Sequence, residues 1–176
     1  MRKIVFQMMT TLNGRLDDPA AWIHGVSDDQ YRRIDELYAT YDTVLVGRTT
    51  YEEMAAYWPT ALAEGTQTNR RMAQRMNDYR KLVFSRLGRE ELTDWQNVEE
   101  VVVADDEALA AFLTDLKSAP GANLHLSGGA SFAQTVIGLG LVDAFHFFVY
   151  PTVSPGQPWF AGLAEKQDLE LRGSER

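Results

Sequence analysis

Three short stretches combine glycine, hydroxyl and guanidinium groups in a way that suits a phosphate. Ser127-Gly128-Gly129-Ala130-Ser131 sets two glycines between the apolar Leu124-His125-Leu126 and a helix-like segment. Such glycines let a backbone come within contact distance of an anion, and the N–H groups they expose donate to it. The same pair also serves an ordinary strand-to-helix turn, and both readings stand at this point. Gly47-Arg48-Thr49-Thr50 joins a glycine turn to a cation and two hydroxyls. Charge-assisted bonds from Arg48 and hydroxyl bonds from the threonines suit a pyrophosphate; equally, the threonines could cap a helix and Arg48 face water. Ser85-Arg86 ends a third apolar run in hydroxyl plus cation. A site selecting NAD carries an acid there, whereas arginine favours a 2′-phosphate. Taken singly, Ser-Arg after a strand is equally an ordinary surface feature; three phosphate-suited ends in one chain together point to a dinucleotide site of the NADPH type.

The elements that must position these turns alternate between strand-like and helix-like patterns. Residues 4–12 and the wholly apolar 43–47 read as strands, the first ended by Asn13-Gly14. Ser27-Asp28-Asp29-Gln30 fits a capping box before Tyr31, Ile34, Leu37 and Tyr38 at helical spacing. A second helix is expected from Thr49 or Thr50 to Trp58-Pro59, and a third, polar one over 66–78. Strands follow at 81–85 and 98–104, with a helix capped by Asp105 or Asp106 that carries Leu109, Phe112, Leu113 and Leu116 on one stripe. Residues 124–127 form the next strand, followed by a helix that stops at Gly140. A long strand over 142–153 and another over 168–172 close the chain. This order predicts a single α/β domain over 1–176 with a mixed, mostly parallel central sheet, helices on both faces and C-terminal antiparallel strands.

Composition narrows the function classes. The chain has 176 residues, 45% of them hydrophobic and 24% charged, and a net charge of -8, which argues against nucleic-acid binding in the absence of a basic stripe. It has no cysteine, which excludes disulfides and thiolate metal sites. The longest apolar stretch, 144–153, contains His146 and Pro151 and is too short to span a bilayer, so a soluble, cytoplasmic protein with no membrane association is expected. No GxGxxG, Walker-type, HExxH or GxSxG pattern occurs, and no metal site is expected. His125 and His146 fall within strands and read as satisfied sheet histidines. Arg70, Arg71 and Arg75 read as a solvated helix face.

In this order the residues resemble the dihydrofolate reductase-like superfamily, especially small bacterial members related to the reductase domain of the riboflavin-biosynthesis deaminase-reductase. The resemblance runs from Met1 to about Phe160. It is carried by Thr11-Leu12-Asn13-Gly14, Trp22-Ile23, 44–52 (VLVGRTTYE), Leu82-Val83-Phe84-Ser85-Arg86, Ser127-Gly128-Gly129, Gly140-Leu141-Val142-Asp143, and Pro151 with Pro155-Gly156-Gln157-Pro158-Trp159-Phe160. It implies NADPH extended across the sheet and hydride delivery to a small pterin, pyrimidine or related heterocycle or imine. Gly47, Arg48, Thr49 and Thr50, with Ser127, Gly128, Gly129, Ala130 and Ser131, would hold the pyrophosphate. Ser85 and Arg86 would meet the 2′-phosphate. Asn13, Gly14 and Trp22 would border the substrate. Asp29 is the implied proton donor, because folate-reducing relatives place a carboxylate on this helix; equally, it could simply complement the helix dipole. The sequence departs from the family at Asn13, where Asp is common, and in lacking one final strand. An unpaired edge left by that strand, together with the analogy, implies a homodimer. A reading of another class is a non-catalytic nucleotide-binding or scaffold homodimer that keeps the fold.

Overall fold

A computed structural model describes every residue except 17, 64–66, 89–90, 157 and 176, and the side chain of residue 68. Six strands form one sheet: β1 (Ile4–Thr11), β2 (Tyr41–Gly47), β3 (Arg80–Ser85), β4 (Val98–Val102), β5 (Asn123–Gly128) and β6 (Ala144–Tyr150), in the order β4-β3-β2-β5-β1-β6. Every pairing is parallel, with Ile4 opposite Leu124 and Val5 opposite Ala144. Five α-helices cover it: α1 (Asp28–Tyr38), α2 (Arg48–Ala61), α3 (Gln67–Asp78), α4 (Asp106–Ser118) and α5 (Ala130–Gly138).

Alternate strand residues feed two cores. Ile4, Phe6, Leu45, Leu82, Leu124 and Leu126 pack with α4 and α5. Val5, Val44, Val46 and Val83 face the other way, with Tyr51, Met54 and Met76 from α2 and α3. Because both faces are covered, the inner strands read as continuous apolar runs rather than as alternation. On the α1 face His125 is buried beneath Tyr38 and stacked on Tyr41, ring centroids 5.1 Å apart. Both ring nitrogens are buried without a well-formed hydrogen bond, and burial keeps the ring neutral. Burial pushes its pKa down to about 4, with the backbone of Gln7 a lesser opposing influence.

Among the described residues the expected antiparallel strands at the C-terminus are absent, and this corrects the mixed sheet. β6 is shorter than the predicted 142–153 and runs parallel to β1, because α5 carries the chain back to the amino ends of the strands before β6 begins. Beyond it, Trp159 and Phe160 turn in over Phe6, at 5.2 and 6.4 Å between ring centroids. Gln167 then bonds the Ile137 carbonyl of α5, and Glu175 pairs with Arg33 of α1 at 2.9 Å. The tail thus crosses from one face of the sheet to the other without forming a ladder, and Leu169 and Leu171 are exposed. Two helix ends also differ from expectation. α2 starts at Arg48, not at a threonine cap, and runs through Pro59 to Ala61; Pro59 forfeits the bond to the carbonyl four residues back, and the helix ends two residues later. Residue 66, the expected start of the third helix, lies outside the described residues. Among those residues no helix is long and apolar enough to cross a membrane.

Candidate functional site

The carboxyl ends of β2 and β5 lie side by side, and each leads directly into a helix. Gly47 is the N-cap of α2 and Gly129 the N-cap of α5, and neither helix has a side-chain capping bond. With glycine at the cap, the first-turn N–H groups that a helix cannot satisfy internally face the space between the two ends. The glycines are required there sterically. Gly128 has φ +112, which L side chains rarely adopt, and a Cβ on Gly129 would stand 2.8 Å from Thr50 Oγ1. The Gly128–Gly129 peptide is cis.

These ends open into a groove of about 620 Å³ lined by Gly47, Arg48, Thr49, Thr50, Ser85, Arg86, Gly129, Ala130 and Ser131, with an apolar floor of Phe84, Val103, Leu109 and Phe132. Most of the residues singled out for a cofactor therefore meet in one place. The floor was not foreseen. Phe84 stacks on Phe132 at 4.7 Å, and in sequence these residues are indistinguishable from ordinary core. Two helix N-termini and two guanidinium groups around a flat apolar strip suit an anion joined to planar rings.

Not every predicted ligand presents its side chain to this groove. Ser127 Oγ lies 3.7 Å from Met54 Sδ, toward α2. Ser85 Oγ donates to Glu100 Oε1 at 3.0 Å and accepts from the Gly88 N–H. Arg48 donates to the Glu91 carbonyl at 3.1 Å. Arg86 forms an ion pair with Asp106 at the start of α4.

A second cluster lies toward β1 and β6, on the α1 face. Trp22 is buried and meets Tyr150 edge-to-face at 5.4 Å. Gln30 Nε2 donates to Tyr150 Oη at 3.1 Å, and that hydroxyl also lies 3.5 Å from the Gly25 carbonyl and 3.8 Å from Met9 Sδ. Only half of the predicted capping box therefore forms. Ser27 Oγ accepts from the Gln30 N–H, while the Gln30 side chain turns to Tyr150. Tyr31 joins the cluster; its phenol pKa is raised by burial and then by neighbouring Tyr57 and Tyr150. Sequence reading missed Gln30, Tyr31 and Tyr150, although the i, i+1 placement of Gln30 and Tyr31 beside the cap was visible.

Asp29 lies elsewhere. Tyr31, Ile34 and Tyr38 occupy the inner face of α1, which turns Asp29 outward; its side chain is 86% exposed and pairs with Arg32. Asn13 and Gly14 act as pins. Asn13 Nδ2 donates to the Ser154 carbonyl, Asn13 Oδ1 accepts from the Ser154 N–H, and the Gly14 carbonyl accepts from the Trp159 N–H at 2.8 Å.

Comparison with known proteins agrees with this architecture. The uncharacterized Bacillus subtilis (strain 168) protein YyaP is 26% identical over 171 residues, covering 97% of this chain and 86% of its own length. A Shewanella sp. PV-4 structure named for riboflavin biosynthesis superposes with TM-score 0.69 at 18% identity, over 99% of this chain and 92% of that one. The Thermotoga maritima diaminohydroxyphosphoribosylaminopyrimidine deaminase/5-amino-6-(5-phosphoribosylamino)uracil reductase superposes with TM-score 0.59 at 17% identity, over 97% of this chain and 51% of that one. At such identities these structures share the fold. The family model for the RibD C-terminal domain matches residues 2–176, so this chain belongs to the RibD C-terminal domain family.

Proposed function

We propose that this chain is an NADPH-dependent reductase acting on a small pyrimidine, pterin or related heterocyclic or imine substrate. The observation that carries this reading is the pair of glycine-capped helix N-termini, α2 and α5, facing one groove with no protein side chain capping either. The residues fit the cofactor: Gly129, packed closely against Thr50, lines the groove with bare backbone whose N–H groups an anion can approach. Gly47 to Thr50 and Gly129 to Ser131 hold the pyrophosphate, and Arg86 meets the 2′-phosphate. The bound nicotinamide supplies hydride. The chain's own task is to align donor and acceptor and to keep water out.

The acceptor sits by the Trp22, Gln30, Tyr31 and Tyr150 cluster. Trp22 and Tyr150 offer ring edges, and the Gln30 amide and Tyr150 hydroxyl offer a donor and an acceptor to a neutral heteroatom. Asp29, paired in solvent, is not assigned a proton-transfer role. A homodimer is also proposed. Among the described residues β6 has a neighbour on one side only, and Phe147 and Val149 are partly exposed beside that open edge, which a second copy of the chain would cover. A cytoplasmic location accords with this chemistry.

The test is calorimetric titration with NADPH, followed by its oxidation in the presence of dihydropterins, dihydrofolate and the aminouracil after which the Thermotoga protein is named. Saturable binding with turnover of one acceptor is expected. Binding without turnover of any acceptor would favour the scaffold reading, and no binding would remove the cofactor assignment.

A further inference from the structure

We propose that Asp106 sets the nucleotide preference of the groove, by competing with a ribose 2′-phosphate for the guanidinium of Arg86. This rests on the dinucleotide reading above. Arg86 leaves the carboxyl end of β3 and lines the groove; Leu109, which lines its floor, lies one helical turn after Asp106 on α4. The Arg86–Asp106 ion pair thus links a groove-lining guanidinium after β3 to the first turn of α4. Arg86 stands just past the carboxyl end of a strand, where an arginine can distinguish a phosphorylated from an unphosphorylated ribose.

The pair is built to exchange. Its side chains are 45% and 58% exposed, so water screens the attraction and the pair costs little to open. Helix α4 does not depend on Asp106, because its N-cap bond comes from Asp105, whose side chain accepts from the Ala108 N–H at 2.8 Å. A 2′-phosphate offers Arg86 a dianion in place of a carboxylate, with bidentate geometry. While Asp106 occupies the guanidinium, the apparent affinity for the phosphorylated nucleotide is lowered by the fraction of Arg86 that is engaged. NADH makes no use of Arg86 in this scheme, so its affinity is insensitive to the pair.

The experiment is calorimetric titration of NADPH and NADH into the wild-type protein and the variants Asp106→Asn, Glu107→Gln and Arg86→Ala, at low and at raised salt. Glu107→Gln removes an equal charge from the same helix turn without touching Arg86, and so measures the general field. Asp106→Asn is expected to tighten NADPH about two- to fivefold, the range for an exposed ion pair, while NADH changes by less than about 1.5-fold. The gain should shrink as salt screens the pair, and Arg86→Ala should bring the two nucleotides together. An unmoved NADPH-to-NADH ratio in Asp106→Asn, or an equal shift in Glu107→Gln, overturns the competition while leaving the cofactor reading intact. Failure of either nucleotide to bind any folded variant, with folding checked by circular dichroism, overturns both.

Discussion

The four helices with described starts after an N-cap fall into two pairs. α1 and α4 begin at Ser27 and Asp105, whose side chains accept from the N–H three residues on. α2 and α5 begin at Gly47 and Gly129, with no such bond. The first pair closes its polar ends with its own side chains. The second leaves them for something else, and it is the pair at the centre of the sheet where β2 and β5 adjoin. Stability and binding are thus assigned to different helix ends. The difference is one of residue type at a single position, and against glycine a Ser or Asp cap contributes only about a few tenths of a kcal/mol.

Four measurements would break or sharpen this contrast. Gly129→Val should have the largest effect, because its side chain would enter the space held by Thr50 Oγ1. NADPH affinity should fall by about 100-fold, equivalent to about 3 kcal/mol, and retained affinity in calorimetry would disprove the cradle.

The second concerns acid and separates the two capped helices from one another, since α1 covers His125 and α4 does not. With its pKa lowered to about 4 in the fold, His125 binds fewer protons folded than unfolded between that value and its ordinary one near 6.5. Its contribution is full above about pH 6.5 and is lost as pH falls toward 4, a total of about 3 kcal/mol. Urea unfolding across that window should show the slope, and His125→Phe should flatten it.

Asp105→Ala comes third: about 1 kcal/mol less stable in the same denaturation experiment, with NADPH affinity unchanged. A loss of affinity there would show that capped and uncapped ends are not independent. Asp29→Asn should do least. Its exposed pair with Arg32 contributes little, and turnover should stay within about twofold of wild type; a large fall would restore the carboxylate to the mechanism.

Much of this contrast was legible in the sequence, and the reason is local. Ser27 with Gln30, Asp105 before an apolar stripe, and glycines at Gly47 and Gly128-Gly129 are signals written within a few residues. The six strand positions were legible for the same reason, as short apolar runs bounded by turns. What escaped depended on where a side chain points. Gln30 had two uses, a reach back to its own cap or a reach across to Tyr150, and only the packing of β6 against α1 decides between them. Asp29 was one residue from the inner face of α1 and a hundred degrees away in angle. Ser85 lines the groove as expected, but its bond to Glu100 on the neighbouring strand could not be read from its own segment. The residues 168–172 alternate like a strand, but alternation specifies a face and not a partner, and no partner strand lies beside them.

The pairing of β1 has a consequence for how the chain is made. Its neighbours are β5 and β6, and every residue of its ladder is matched to one beyond position 122. The β2–β3 and β3–β4 pairs join strands that are near in sequence, whereas both partners of β1 lie far along the chain. Contacts so distant in sequence are closed late and slowly. Until then Ile4, Val5 and Phe6, all buried in the finished fold, form an apolar segment with nothing to cover it. The need for protection during folding is therefore concentrated at β1.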